Sequence, residues 1–203
     1  MLDGMMRRLV APPLDRAGAM LARRGITADQ VTLAGLVAAL AMAGAIAAGQ
    51  LWLALVLLVI SRVADGLDGA VARHTRLSDF GGMLDIVCDF AFYAAVPVGF
   101  ALADAANATA AVLLIASFYL NAASFLGFAA LAAKRGMETT VRGPKSLYFT
   151  TGLAEGTETI AVFVAMMLWP AGFGLLAGGF AALCLVTCIA RAGLARKMFA
   201  PGP

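Results

Sequence analysis

Six hydrophobic stretches, at about 29–49, 51–73, 80–102, 108–133, 151–170 and 172–194, succeed one another with short polar breaks between them. Each is close to the ~20 residues that an α-helix needs to cross a bilayer. Ahead of them, residues 1–25 mix Arg7, Arg8, Arg16, Arg23 and Arg24 with Leu, Met, Val and Ala. That mixture predicts a helix lying in the membrane interface, interrupted at Pro12-Pro13. Thr27 is placed to N-cap the first span, and Asp29 puts a favourable negative charge in its first turn. With no internal repeat and no low-complexity tract, the expected fold is a single all-α membrane domain over 1–203. It comprises an interfacial N-terminal helix and a six-helix transmembrane bundle over 29–194.

Composition supports the same class. Hydrophobic residues make up 62% of the chain and charged residues 13%, where a soluble domain has about 45–50% apolar and about 25% charged. The net charge of +3 does not point to nucleic acid, because the basic residues mark the ends of spans. The breaks at Gly49-Gln50, Asp104 to Asn107 and Pro170 to Gly172 hold no Lys or Arg. The intervening ends hold Arg73 and Arg76, then Lys134, Arg135, Arg142 and Lys145, then Arg191, Arg196 and Lys197. By the positive-inside rule both termini and these basic loops face the cytoplasm, which for a bacterial protein means the inner membrane. The first 24 residues have five arginines and no long apolar run, so they do not read as a cleavable signal peptide. Cys88, Cys184 and Cys188 lie in apolar segments without a C-x-x-C spacing and read as small packing residues.

The informative exceptions to the apolar pattern are Asp65, Asp68, Asp85 and Asp89. A carboxylate at the centre of a span costs about 2.5–3.5 kcal/mol on insertion scales, so four of them need a countercharge. Spacings of i, i+3 and i, i+4 direct each pair to one face of its helix. The short connection from Arg73 to Phe80 makes the two helices antiparallel neighbours. All four carboxylates then lie at similar depth in the cytoplasmic half, with Asp65 roughly 12 Å before Arg73 at about 1.5 Å per residue. Divalent cations are the natural partner for such a nest. Ion pairing with Arg62 and Arg73 alone would leave about two of the charges uncompensated. Arg62, at i−3 from Asp65, is expected to orient that carboxylate, and His74 to be a solvated loop residue.

The run D-x-x-D-G-x-x-A-R from Asp65 to Arg73, followed by G-x-x-x-D-x-x-x-D from Gly81 to Asp89, resembles the signature of the CDP-alcohol phosphotransferases. Asp65, Asp68, Gly69, Ala72, Arg73, Gly81, Asp85 and Asp89 fill every specified position. Seven residues, not the family's eight, separate Arg73 from Gly81, a deletion that falls in the turn between helices. The resemblance implies that Asp65, Asp68 and Asp85 hold metal, and that Asp89 contacts the second ion and acts as general base. It places Gly69, Arg73 and Ser78 on the CDP moiety, with Asp29 and Thr32 as a short N-terminal contact to the nucleotide. The implied cofactors are two divalent cations, Mg²⁺ or Mn²⁺. The implied reaction has a small alcohol attack CDP-diacylglycerol at the phosphorus next to the lipid, releasing CMP. The family is usually dimeric, and Gly174, Gly178 and Gly179 allow close helix packing inside the bundle or at a dimer seam.

The chemistry stands on its own terms as well. Breaking a pyrophosphate bond develops negative charge on the attacked phosphorus and the leaving phosphate. Two hard cations with oxygen ligands clamp both sites and acidify an attacking hydroxyl. Gly69 removes a side chain where a nucleotide must approach the helix. Arg73, one turn later, offers a fork for a diphosphate. Ser78 precedes the third span, where a helix N-terminus favours phosphate.

The alcohol is less legible. Arg142 and Lys145 suit a phosphorylated acceptor such as glycerol 3-phosphate or an inositol phosphate, or else they are topological anchors at lipid headgroups. Glu155 and Glu158 share a face at i, i+3 inside an apolar segment. They line the acceptor cavity, where they suit a polyol or amine, or they pair with Arg142, Lys145 or Arg191. A phosphate-bearing acceptor is slightly favoured, and the reverse arrangement, with a CDP-linked small alcohol as donor, stays open. Two other classes remain in view: a transporter using the aspartates as a cation site, and an inactive family member serving as an assembly subunit. The acidic motif has no echo in the later helices, and every catalytic position is filled.

Overall fold

The computed structural model describes residues 2–137 and 156–199, with side chains from residue 11 onward. Among these the chain is helical throughout, with no strand. Seven α-helices follow in order: α1 Leu2–Arg23, α2 Ala28–Ala47, α3 Leu51–His74, α4 Asp79–Ala103, α5 Ala108–Lys134, α6 Gly156–Leu168 and α7 Phe173–Phe199. Short 3₁₀ turns at Ala105–Asn107 and Pro170–Gly172 lead into α5 and α7.

Four stretches are long and apolar enough to cross a membrane: Ala28–Ala47, Asp79–Ala103, Ala105–Lys134 and Pro170–Phe199. The chain is an integral membrane protein. α3 has the length, with 24 residues, but its Arg62, Asp65, Asp68 and Arg73 set it apart from those four. α6 has 13 described residues. Six crossings, expected from hydropathy, are thus more than these helices establish by length and composition.

Thr27 caps α2 as expected, and reciprocally: its Oγ1 accepts from the Gln30 N–H at 3.3 Å while Gln30 Oε1 accepts from the Thr27 N–H at 3.0 Å. α1, in contrast, is not interrupted at Pro12-Pro13. Both prolines are exposed, so solvent can satisfy the carbonyls that lose an N–H partner. α1 lies against α3 where both are small: a Cβ at Gly18 would come 2.6 Å from Ala70 Cβ, and one at Gly66 would come 2.7 Å from Leu14 Cδ1.

α2 packs against both α3 and α4, and those two pack on it more than on each other. The expectation of α3 and α4 as direct neighbours therefore needs correcting: they are antiparallel, but α2 is their shared platform. Glycines permit the approach. A Cβ at Gly35 would lie 3.1 Å from Ala64 Cβ, and one at Gly99 would lie 2.9 Å from the Ala43 carbonyl oxygen and Ile46 Cβ. Below this platform sits the apolar core, built from Met42, Ile46, Phe92, Val96, Leu114, Phe163 and Phe173. Its rings interlock, with Phe100 stacked on Phe173 at 4.4 Å and Phe92 tilted against Phe163 at 5.9 Å. Gly174, Gly178 and Gly179 are exposed on α7, and among the described residues nothing beyond their own stretch of helix comes within 4 Å of where their Cβ atoms would be.

Candidate metal and nucleotide site

With α3 and α4 held apart on α2, the side chains that cross the gap between them are polar. One ligand oxygen each from Asp65, Asp85 and Asp89 falls within 4.8 Å of the others. A hard divalent ion with oxygen ligands at about 2.0–2.6 Å would fit among three such atoms. Asp68, a turn after Asp65, lines the same small cavity with Asp65, Asp89, Thr32, Gly35, Ser61, Arg62 and Cys88. Asp68 is 6% exposed, and its Oδ2 accepts a 2.6 Å hydrogen bond from the Thr32 hydroxyl. The expected role of Thr32, a contact to nucleotide, is accordingly joined by another: the hydroxyl orients Asp68.

Arg62 occupies the centre of this arrangement more fully than its spacing predicts. Its Nη1 donates to Asp89 Oδ1 at 2.9 Å and lies 3.6 Å from Asp65 Oδ1. Orientation of Asp65 was the expected contact; the closer partner is Asp89, on the other helix. Nη2 donates to Ser61 Oγ at 3.2 Å, and the guanidinium carbon sits 3.5 Å from the centre of the Phe92 ring.

The start of α4 comes next to the start of α2. Ser78 caps α4, its Oγ accepting from the Gly81 N–H at 3.0 Å, which leaves its own hydrogen free to donate. A Cβ at Gly81 would fall 3.0 Å from Ser78 Oγ and 3.2 Å from Asp29 Oδ1. Gly81 is thus a close-approach residue that lets Asp29 and Ser78 share one corner.

Arg73 ends α3 beside Gly69, with Nη1 3.7 Å from the position a Gly69 Cβ would take. Its Nη2 is 3.4 Å from Asp15 Oδ1, and His74 Nε2 is 3.2 Å from Asp15 Oδ2. His74 is solvent-exposed as expected, but it is the last residue of α3 and a partner of α1 instead of a loop residue. The His74 hydrogen bond, with help from Arg73, holds the exposed Asp15 carboxyl below its ordinary range. Asp15 carries no local signal in the sequence, because its partner Arg73 lies 58 residues away and His74 is the residue after that.

On the acceptor side, Arg142, Lys145 and Glu155 lie outside the described residues. Glu158 is in the first turn of α6, and its Oε2 is buried with no hydrogen-bond partner among the described residues. Arg191 was grouped with the basic end of the last span, yet it is buried: Nη1 reaches Asn121 Oδ1 at 2.9 Å, the Asn121 carbonyl at 3.0 Å and Ser124 Oγ at 2.7 Å. Two polar residues at i, i+3 within the otherwise apolar fourth stretch were the signal that could have found it.

A family model described as CDP-alcohol phosphatidyltransferase matches residues 25–191. The inner membrane protein YnjF of Escherichia coli strain K12 is 44% identical over 192 residues, covering 94% of this chain and 93% of that protein. Archaetidylinositol phosphate synthase of Pyrococcus horikoshii is 38% identical over 98 residues, which is 48% of this chain and 52% of that one. Phosphatidylinositol phosphate synthase of Mycolicibacterium smegmatis is 43% identical over 93 residues, 42% of this chain and 40% of that one. A crystal structure of Mycobacterium tuberculosis phosphatidylinositol phosphate synthase with CDP-DAG bound superposes with a TM-score of 0.73 at 22% identity, covering 90% of this chain and 93% of its own. The same enzyme with manganese and citrate gives 0.70 at 23% identity, covering 89% and 87%. At those identities the likeness is one of fold.

Proposed function

The chain belongs to the CDP-alcohol phosphatidyltransferase family, and we propose that it moves the phosphatidyl group of CDP-diacylglycerol to the hydroxyl of a small polar alcohol. The observation that supports this most is the convergence of Asp65, Asp85 and Asp89 oxygens within 4.8 Å, beside Asp68 and next to a corner built for an anionic nucleotide. The chain is a transferase, and its site faces the cytoplasm in this reading, with α3 and α6 completing six crossings.

Asp65, Asp68, Asp85 and Asp89 would hold Mg²⁺ or Mn²⁺. Bound there, two such ions supply charge neutralisation for the phosphates and an acidified alcohol. The protein's own groups do the rest. Arg73 grips the diphosphate with its fork, over a helix face that Gly69 leaves open. Ser78 donates its hydrogen to a phosphate oxygen at the α4 N-terminus, and Asp29 bounds the nucleotide corner. Asp89 takes the proton from the attacking hydroxyl. The alcohol oxygen bonds to the phosphorus that bears the diacylglycerol, the bond from that phosphorus to the bridging oxygen breaks, and CMP leaves. The product is a phosphodiester lipid.

For the acceptor, a phosphorylated polyol such as glycerol 3-phosphate or an inositol phosphate is favoured. The basic Arg142 and Lys145 support it, as do the inositol phosphate products in the names of two relatives. Glu158, whose buried Oε2 has no partner among the described residues, suits a hydroxyl donor such as a polyol, and Glu155 is assigned the same role. Two copies pairing through the outward Gly174, Gly178 and Gly179 face of α7 would complete the assembly.

The test is CMP release from CDP-diacylglycerol by purified protein in detergent with Mg²⁺, across glycerol 3-phosphate, inositol phosphate, inositol, serine and ethanolamine. Release that depends on one acceptor supports the reaction and names the alcohol. Absence of release with all of them, while CDP-linked small alcohols with diacylglycerol do yield CMP, would reverse donor and acceptor.

A further inference from the structure

We propose that Arg62 is a resident countercharge that competes with divalent ions for Asp89 and Asp65, and so sets how tightly the acidic cluster takes its metal. This rests on the metal-site reading above. Arg62 is held in place by more than the carboxylates. Its guanidinium lies 3.5 Å from the centre of Phe92, a ring that is 0% exposed and cannot retreat. Nη2 is tied to Ser61, one residue back on the same helix. Nε is buried with no hydrogen-bond acceptor among the described residues. Nη1 alone faces both Asp89 at 2.9 Å and Asp65 at 3.6 Å, two of the three residues whose oxygens converge for a cation.

An ion bound to Asp89 and Asp65 therefore shares its ligands with a guanidinium that is fixed from behind. Formal charge gives the consequence. The aspartates bring four negative charges and Arg62 one positive, so a single divalent ion leaves the cluster with one net negative charge. Unless the anionic donor arrives with it, a second ion would give the cluster one net positive charge, where a neutral residue at 62 would leave it balanced. Arg62 thus links occupancy of the full metal complement to the presence of the diphosphate. A chain with a neutral residue at 62 would fill without donor. The role is one of positioning and of affinity, not of contact with the reacting atoms.

The experiment is Mn²⁺ titration of purified protein followed by the electron paramagnetic resonance of free Mn²⁺, with and without CDP. In Arg62→Gln, Mn²⁺ affinity without CDP is expected to rise about tenfold, and the gain on adding CDP is expected to shrink. Arg62→Lys keeps the charge as a compact point that cannot hold Ser61 and Asp89 together, so its affinity should fall between the two. Unchanged or weaker Mn²⁺ binding in Arg62→Gln overturns the proposal. Should that variant not fold, Arg62→Met binding Mn²⁺ as the wild type does, or more weakly, would overturn it equally. Asp65→Asn separates the two ideas: if it binds Mn²⁺ as the wild type does, the metal-site reading itself has failed.

Discussion

Asp89 accepts a hydrogen bond from Arg62 at 2.9 Å and stands within 4.8 Å of ligand oxygens on Asp65 and Asp85. One carboxylate thus serves as ion-pair partner, proposed ligand and proposed base. Asp89→Asn keeps the shape and removes the basicity. CMP release should fall by about 10²–10⁴-fold, while retention of a labelled CDP-lipid stays within a few-fold of wild type. Wild-type rates in that variant would remove Asp89 as the base. Thr32 is the complementary case. Its 2.6 Å bond to the buried Asp68 is charge-assisted, so Thr32→Val should cost about 1.5–3 kcal/mol in unfolding stability, and Thr32→Ser should restore it. The aspartates were legible in the sequence because i, i+3 and i, i+4 spacings survive any packing arrangement. The target of the Thr32 hydroxyl, the reach of Arg62 to Asp89, and the burial of Arg191 on Asn121 were not. Each depends on which helices meet, which a run of apolar residues does not specify.

At the level of elements, the spans read from hydropathy agree with the helices to within a few residues where both ends are described, because polar breaks and caps mark the ends. What hydropathy missed was partnership: α2 stands between α3 and α4, and α1 lies on α3 through Gly18 and Gly66. That crossing brings Asp15 to Arg73 and His74, joining α1 to the residue proposed to grip the diphosphate. Gly18→Leu would force a Cβ to within 2.6 Å of Ala70 Cβ, and such overpacking typically costs about 1–3 kcal/mol. The expected result is a lower unfolding temperature in detergent together with a raised KM for the CDP-lipid. The Asp15 pairing also has a pH signature. Its carboxyl is held below the ordinary aspartate value of 3.8, so its contribution is fully present above that pH and is lost as pH falls through the lower, folded value. Acid-unfolding curves of wild type and Asp15→Asn should therefore converge at the acid end and differ above it.

For the molecule as a whole, the geometry and the charge pattern make the same demand of topology. The α3–α4 connection runs from Thr75 to Ser78, and Gly81 brings Asp29, at the start of α2, into that same corner. Three helix ends therefore lie on one side, along with Arg73 and Arg76. The opposite ends of α2 and α4, at Ala48 and Asp104, lie in stretches with no basic residue. The proposed CDP donor and the CMP it would release are polyanions that cannot cross the bilayer, so the proposed reaction requires the crowded basic side to be the one where nucleotides are available. In a background with Cys88, Cys184 and Cys188 replaced by alanine, a cysteine at Arg76 should react with a membrane-impermeant maleimide only in inside-out vesicles. One at Asn107 should react only in right-side-out vesicles. Labelling of both from the same side would mean that α4 does not cross, and would separate the acidic cluster from the compartment its proposed substrate requires.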